Sequence, residues 1–105
     1  MTTVVPFPRR PEPEPLWREA VGAQLRTERR RRGERIADVA GRAGISPQYL
    51  SEIERGRKDP SSEVLAALAG ALDLRVLDLT VRSAQLLTSR PVSVGRPTGP
   101  VALAA

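Results

Sequence analysis

The sequence predicts an all-α fold: one compact domain of five helices, flanked by flexible N- and C-terminal arms. Three observations carry this. Prolines crowd both ends of the chain, apolar residues between them recur at three- and four-residue spacing, and capping residues and glycines punctuate that pattern. Alternating strand patterns are absent, and no internal repeat is visible.

Residues 1–15 hold Pro6, Pro8, Pro11, Pro13 and Pro15. Proline lacks an amide donor and fixes φ, so this segment reads as a disordered arm. The first helix is predicted over 16–32, with Trp17, Val21 and Leu25 on one apolar stripe and Gly33 ending it. The second covers 35–43, turning Ile36, Val39, Ala40 and Ala43 inward; Gly44 follows, a residue suited to a left-handed turn. The third spans 47–55. Ser46 is its N-cap, Pro47 its first residue, and Leu50 and Ile53 its inward pair. Asp59-Pro60-Ser61-Ser62 opens the fourth, with Val64, Leu65, Leu68, Ala69 and Leu72 apolar. The fifth starts at Arg75 or Val76 and reaches Leu87. In it Val76 and Leu79 are expected in the core, while Leu77, Val81 and Ala84 form a second stripe. Residues 89–105, with Pro91, Pro97, Pro100, Gly95 and Gly99, read as a flexible tail. The domain is therefore placed at 16–88.

Composition narrows the chemistry. Cysteine and histidine are both absent, which removes disulfides, thiolate ligands, the commonest metal ligand and the commonest general base. No cofactor or catalytic residue is expected. The three aromatics are Phe7, Trp17 and Tyr49, so the core must be aliphatic. No apolar run approaches the roughly 18 residues of a membrane span. The early prolines interrupt any signal-peptide pattern, so a cytoplasmic location is expected. The net charge is +5. Residues 26–58 hold ten Arg or Lys against five Asp or Glu, whereas the remainder balances at seven of each. Such a focused basic segment suits a polyanion, either DNA or an anionic membrane; a solvated arginine-rich surface gives the same count.

Two short helices joined at Gly44 make a helix-turn-helix candidate centred on 36–55. Ala40 is small where the helices cross, and Ile45, Leu50 and Ile53 anchor the second helix. That leaves Pro47, Gln48, Ser51, Glu52 and Arg55 outward, where such a helix meets base edges in the major groove. The run Val21-Gly22, Leu25-Arg26, Arg29, Gly33, Val39-Ala40, Ala43-Gly44-Ile45-Ser46, Tyr49-Leu50-Ser51, Ile53-Glu54-Arg55-Gly56 and Pro60-Ser61 resembles the Cro/repressor (XRE-type) class of bacterial helix-turn-helix regulators over about 16–80. Within that class, 49–58 followed by Ser61-Ser62-Glu63 resembles the Clp-gene regulators, small activators of genes for ATP-dependent proteases.

The resemblance implies sequence-specific binding to double-stranded DNA. Family members often place Gln at the positions of Ile36 and Pro47, so base reading here falls to Gln48, Glu52 and Lys58, with Pro47 and Ser51 alongside. Gln can pair bidentately with adenine; Glu52 either accepts from cytosine or pairs with Arg55 or Lys58. Arg35, Ser46, Tyr49, Arg55 and Arg57 are expected on phosphates. Arg35 stands where the family has a Thr or Ser N-cap. Of Arg29, Arg30, Arg31 and Arg32, one or two are expected on the backbone. The resemblance also implies a buried ion pair between Arg29 and Glu54.

The stripe Leu77, Val81 and Ala84 is assigned to a homodimer on a palindromic operator. The terminal Leu103-Ala104-Ala105 resembles a tag read by ATP-dependent proteases, and an incidental alanine-rich end gives the same letters. Two rivals remain at this level: an antitoxin or other protein-interaction module carrying the same DNA-binding half, and a small nuclease.

Overall fold

Four of the five described helices begin where the sequence offers the free amides of the first turn a side-chain partner. The computed structural model describes residues 15–88. The proline-rich arm up to residue 14 and the 89–105 tail, including Leu103, Ala104 and Ala105, lie outside the described residues. Among the described residues there are five helices and no strand: α1 (Trp17–Arg31), α2 (Ile36–Ala43), α3 (Pro47–Glu54), α4 (Ser62–Ala71) and α5 (Val76–Thr88). The all-α, five-helix expectation holds.

Before α1, the Leu16 amide donates to the Glu19 carboxylate at 2.8 Å. Ser46 Oγ accepts from the Tyr49 amide at 3.0 Å, with Pro47 at the first position of α3. Ser61 Oγ accepts from Val64 at 3.2 Å ahead of α4. Asp78 accepts from the Arg75 amide at 3.1 Å ahead of α5. Each bond satisfies one of the donors that a helix start leaves without an intrahelical acceptor. Arg35 precedes α2 without any side-chain cap.

α1 packs on α3 and α5, α2 on α3 and α4, and α4 on α5. The core is aliphatic, as the composition requires. Val21, Leu25, Val39, Ala40, Leu50, Ile53, Leu68, Ala69, Leu72 and Leu79 are buried, and Ile36, Ala43, Ile45, Tyr49, Val64 and Leu65 pack against them. One close approach sets the angle between α1 and α3. A Cβ on Gly22 would strike the backbone carbonyls of Ile53 and Glu54, at 2.9 Å from the latter, so only glycine lets the helices meet there.

Two expected core residues are not in the core. Trp17 is 40% exposed and Val76 is 40% exposed. Each lies three residues before a buried one, Ala20 and Leu79, and so on the correct helix face. Each is also the first residue of its helix, where the described neighbours no longer cover that face. The buried stripe of α1 instead continues C-terminally through Gln24 and Glu28, and that of α5 through Ser83. The Ser83 hydroxyl donates to the Leu79 carbonyl at 2.7 Å, which lets a polar side chain sit fully buried.

Glu28 is the one buried carboxylate that ties α1 to α5. It accepts from Arg82 of α5, from Arg31 and from Gln24. Burial pushes its carboxyl up, but the hydrogen bonds from Arg31 and Arg82 outweigh this and hold it below the ordinary carboxylate range.

Candidate nucleic-acid interface

The turn between α2 and α3 is built by the backbone. Gly44 adopts φ 75°, ψ 26°, and the Ile45 amide donates to the Ala40 carbonyl at 3.0 Å. This closes the C-terminus of α2 in the left-handed geometry that glycine takes without strain. Fully buried Ala40 and Leu50 then bring the two helices together. α3 anchors Leu50 and Ile53 in the core and leaves its N-terminal end open.

On that end Pro47 and Gln48 are exposed, while Ser51 and Glu52 are half-buried. Arg55 and Arg57 are exposed and make no ion pair among the described residues. Glu52 lies 3.7 Å from Lys58, so of the alternatives for its carboxylate the structure has the Lys58 pair. Tyr49 is half-buried against the core. Ser46 spends its oxygen on the α3 cap, and its hydroxyl proton remains available. Arg35 is highly exposed and pairs with Asp38 at 3.3 Å. No side chain caps the amides at the start of α2 beside it, and the Asp38 amide donates to the Arg35 carbonyl at 3.1 Å.

Arg29 and Glu54 hold α3 in place. The guanidinium donates from Nε to Glu54 Oε2 at 2.8 Å and from Nη2 to Glu54 Oε1 at 2.9 Å. Its Nη1 donates to the Glu34 carbonyl at 3.0 Å. The side chains are only 12% and 4% exposed. The hydrogen bond to Glu54 raises the Arg29 guanidinium still further above its ordinary range, so it stays charged.

The other members of the arginine run are dispersed. Arg31 pairs with Glu28, and Arg32 with Glu34 and Asp73. Arg30 has no ion pair among the described residues. Together with Arg26, Arg29, Ile36, Ser51, Glu54 and Arg55 it lines an open groove of about 230 Å³ between α1 and the C-terminal end of α3. The sequence places Arg26 only in the family-like run, with no contact role assigned to it. Its spacing of four from Arg30, on the face beside the Arg29 position, is the signal that could have found it.

On α5, Leu77 and Val81 are 58% and 46% exposed, and Ala84 is exposed between neighbouring turns. They share one side of the helix, apart from buried Leu79 and Ser83. Among the described residues no helix is long and apolar enough to cross a membrane.

A glycine turn between two short helices, with the second helix open at its N-terminal end and followed by arginines that have no ion pair among the described residues, defines a helix-turn-helix DNA-binding domain. The chain belongs to the helix-turn-helix domain family, which matches residues 20–80. It is 40% identical over 89 residues to the transcriptional regulator ClgR of Mycobacterium tuberculosis, a match covering 80% of each chain. The fold is similar to the crystal structure of the clp gene regulator ClgR from Corynebacterium glutamicum. The TM-score is 0.72 at 45% identity, over 74% of this chain and 83% of that one. The restriction-modification controller protein C.AhdI from Aeromonas hydrophila matches at TM-score 0.58 and 29% identity, over 59% of this chain and 94% of that one. The protein is thus a ClgR-like, Cro-like transcriptional regulator, and these relatives are regulators rather than enzymes.

Proposed function

We propose that this regulator reads a palindromic operator as a homodimer, with α3 of each subunit in the major groove. The observation that supports this best is the open N-terminal end of α3. Gln48 is exposed there next to Pro47, and Arg55 and Arg57, without acidic partners among the described residues, follow the other end of the helix. Gln48 reads a base, with Pro47, Ser51, Glu52 and Lys58 around it. Contact of Glu52 with a cytosine requires its pair with Lys58 to open, which frees the lysine for the duplex as well. Arg35, Ser46, Tyr49, Arg55 and Arg57 take phosphates, and the uncapped amides of α2 add a positive end where an anion is stabilised. The Leu77, Val81 and Ala84 stripe meets its copy in the partner subunit, setting the recognition helices about 34 Å apart.

The names of the relatives suggest the target. Regulators of clp genes act on genes for ATP-dependent proteases, and this chain is proposed to activate such genes from the cytoplasm. Its terminal Leu103-Ala104-Ala105 would then return it to an ATP-dependent protease, closing a feedback loop.

Selection of bound duplexes from random DNA tests the central reading. It should enrich one palindromic site. On that site Gln48→Ala should lose about 1–3 kcal/mol and relax preference at one base pair. Neutralising Arg55 or Arg57 should weaken all sequences alike and lower the salt slope by about one. Failure to enrich any sequence would end the reading.

A further inference from the structure

We infer that Arg26 and Arg30 of α1, with Arg55 at the end of α3, form a clamp for one backbone phosphate of the bound duplex. This rests on the DNA-binding reading above and adds α1 to the contact surface. The groove they line has an opening of about 230 Å³ and is bounded by seven residues. Of its charges, Arg29 and Glu54 cancel each other at 2.8 Å. Arg26, Arg30 and Arg55 remain, with no acidic partner among the described residues. Three like charges are thus gathered around one concavity and compensated by nothing nearby. Such an arrangement raises the local positive potential and concentrates anions.

The identity of the anion follows from the groove's position. Its α3 side is Ser51, Arg55 and the Glu54 carboxylate that Arg29 neutralises, and Ser51 belongs to the face assigned to bases. A strand passing along α3 therefore runs past the groove mouth. The Ser51 hydroxyl offers a neutral donor to the same phosphate, and guanidinium forks match phosphate oxygens in pairs. Arg26 and Arg30 lie one helical turn apart and approach from the α1 side. Arg29, also between them in sequence, spends three of its five N–H donors on Glu54 and the Glu34 carbonyl, and its charge is already compensated. The clamp thus alternates with the ion pair: Arg29 holds the recognition helix while its neighbours on α1 hold the duplex.

The test uses the full chain with Arg26→Gln, Arg30→Gln and the double variant, and Arg75→Gln as a control for net charge, since Arg75 pairs with Asp78 at the start of α5. Each single groove variant should weaken the selected operator and a random duplex by about tenfold. Each should also flatten the salt dependence, while Arg75→Gln does neither. A methylphosphonate scan of the operator then locates the phosphate. One neutralised position should weaken the wild type and leave the double variant unaffected. Equal salt slopes for the wild type and both groove variants, in a wild-type protein that binds its operator, would overturn the clamp without touching the parent reading. Loss of binding matched by Arg75→Gln would also overturn it, by reducing the effect to overall charge. So would a double variant that still responds at every phosphate the wild type feels. Absence of any enriched operator would instead end the parent reading. Circular dichroism spectra and melting curves should be unchanged, because Arg26 and Arg30 are exposed.

Discussion

Replacing Arg29 with Met should damage the fold more than replacing its partner Glu54 with Gln, and the structure sets the scale. Arg29→Met removes two donors from Glu54, whose side chain is 4% exposed, and one from the Glu34 carbonyl. Breaking one side of a fully buried pair costs about 3–5 kcal/mol. Here Arg29 lines an open groove, so water reaches part of the site and the loss should fall to about 2–3 kcal/mol. In a domain of this size each kcal/mol lowers the melting temperature by about 4–8 °C, which predicts a drop of roughly 10–20 °C. Glu54→Gln leaves a guanidinium that can turn toward groove water, and should lose only about 1–2 kcal/mol. The double variant Arg29→Met/Glu54→Leu buries apolar groups instead and should recover most of the loss. Thermal and urea unfolding followed by circular dichroism at neutral pH gives all three values. A loss under about 1 kcal/mol for Arg29→Met, the worth of an exposed pair, would refute the burial argument. A double variant no more stable than Arg29→Met alone would refute the coupling.

Gly22→Ala should destabilise by about 1–3 kcal/mol in urea melts, because the new methyl group meets the Ile53 and Glu54 carbonyls. The Glu28 carboxyl lies below its ordinary range when folded, so its contribution is complete above that range and fades as pH falls through the folded value. Glu28→Gln should therefore lower stability at neutral pH and flatten the acid limb of a urea-midpoint profile; parallel profiles would contradict this. Leu77→Glu should convert the sedimenting species to monomer at micromolar concentration and weaken operator binding, while melting of the domain changes little because Leu77 is 58% exposed. Changing Ala104 and Ala105 to Asp should lengthen the cellular lifetime several-fold with DNA binding intact, and equal half-lives would leave the tail without that role.

Most of the fold was legible because its punctuation is local. Ser46-Pro47 and Gly44 state where one helix starts and another stops, and the aliphatic spacing states which face is buried. What periodicity could not convey was how far each neighbouring helix extends. Trp17 and Val76 have the right phase and the wrong position, at helix ends that the described neighbours do not cover. Gln24 and Glu28 were hidden for the opposite reason: polar residues on an apolar stripe look like interruptions until Glu28 is seen to accept from Gln24 and from Arg82, which arrives from more than fifty residues away. At the site, α3 could be read from its pattern. The groove could not, because it depends on which arginines find acidic partners, and neither Arg31 nor Arg32 announces its pairing in sequence order alone.

Glu28 and Arg29 are adjacent on α1, yet one grips α5 through Arg82 and the other grips α3 through Glu54. Consecutive residues on a helix point about 100° apart, so this single dipeptide fixes the bearing of α3 relative to α5. In a pair of such chains that bearing becomes the separation of the two reading heads along the duplex. Inserting one residue between 28 and 29 would preserve every hydrophobic side chain and still swing one helix by about a quarter turn against the other. If two copies pair on DNA as proposed, the half-site spacing they accept is thus set in part by α1. A lineage could change its operators by re-aiming that joint while leaving the recognition helix untouched.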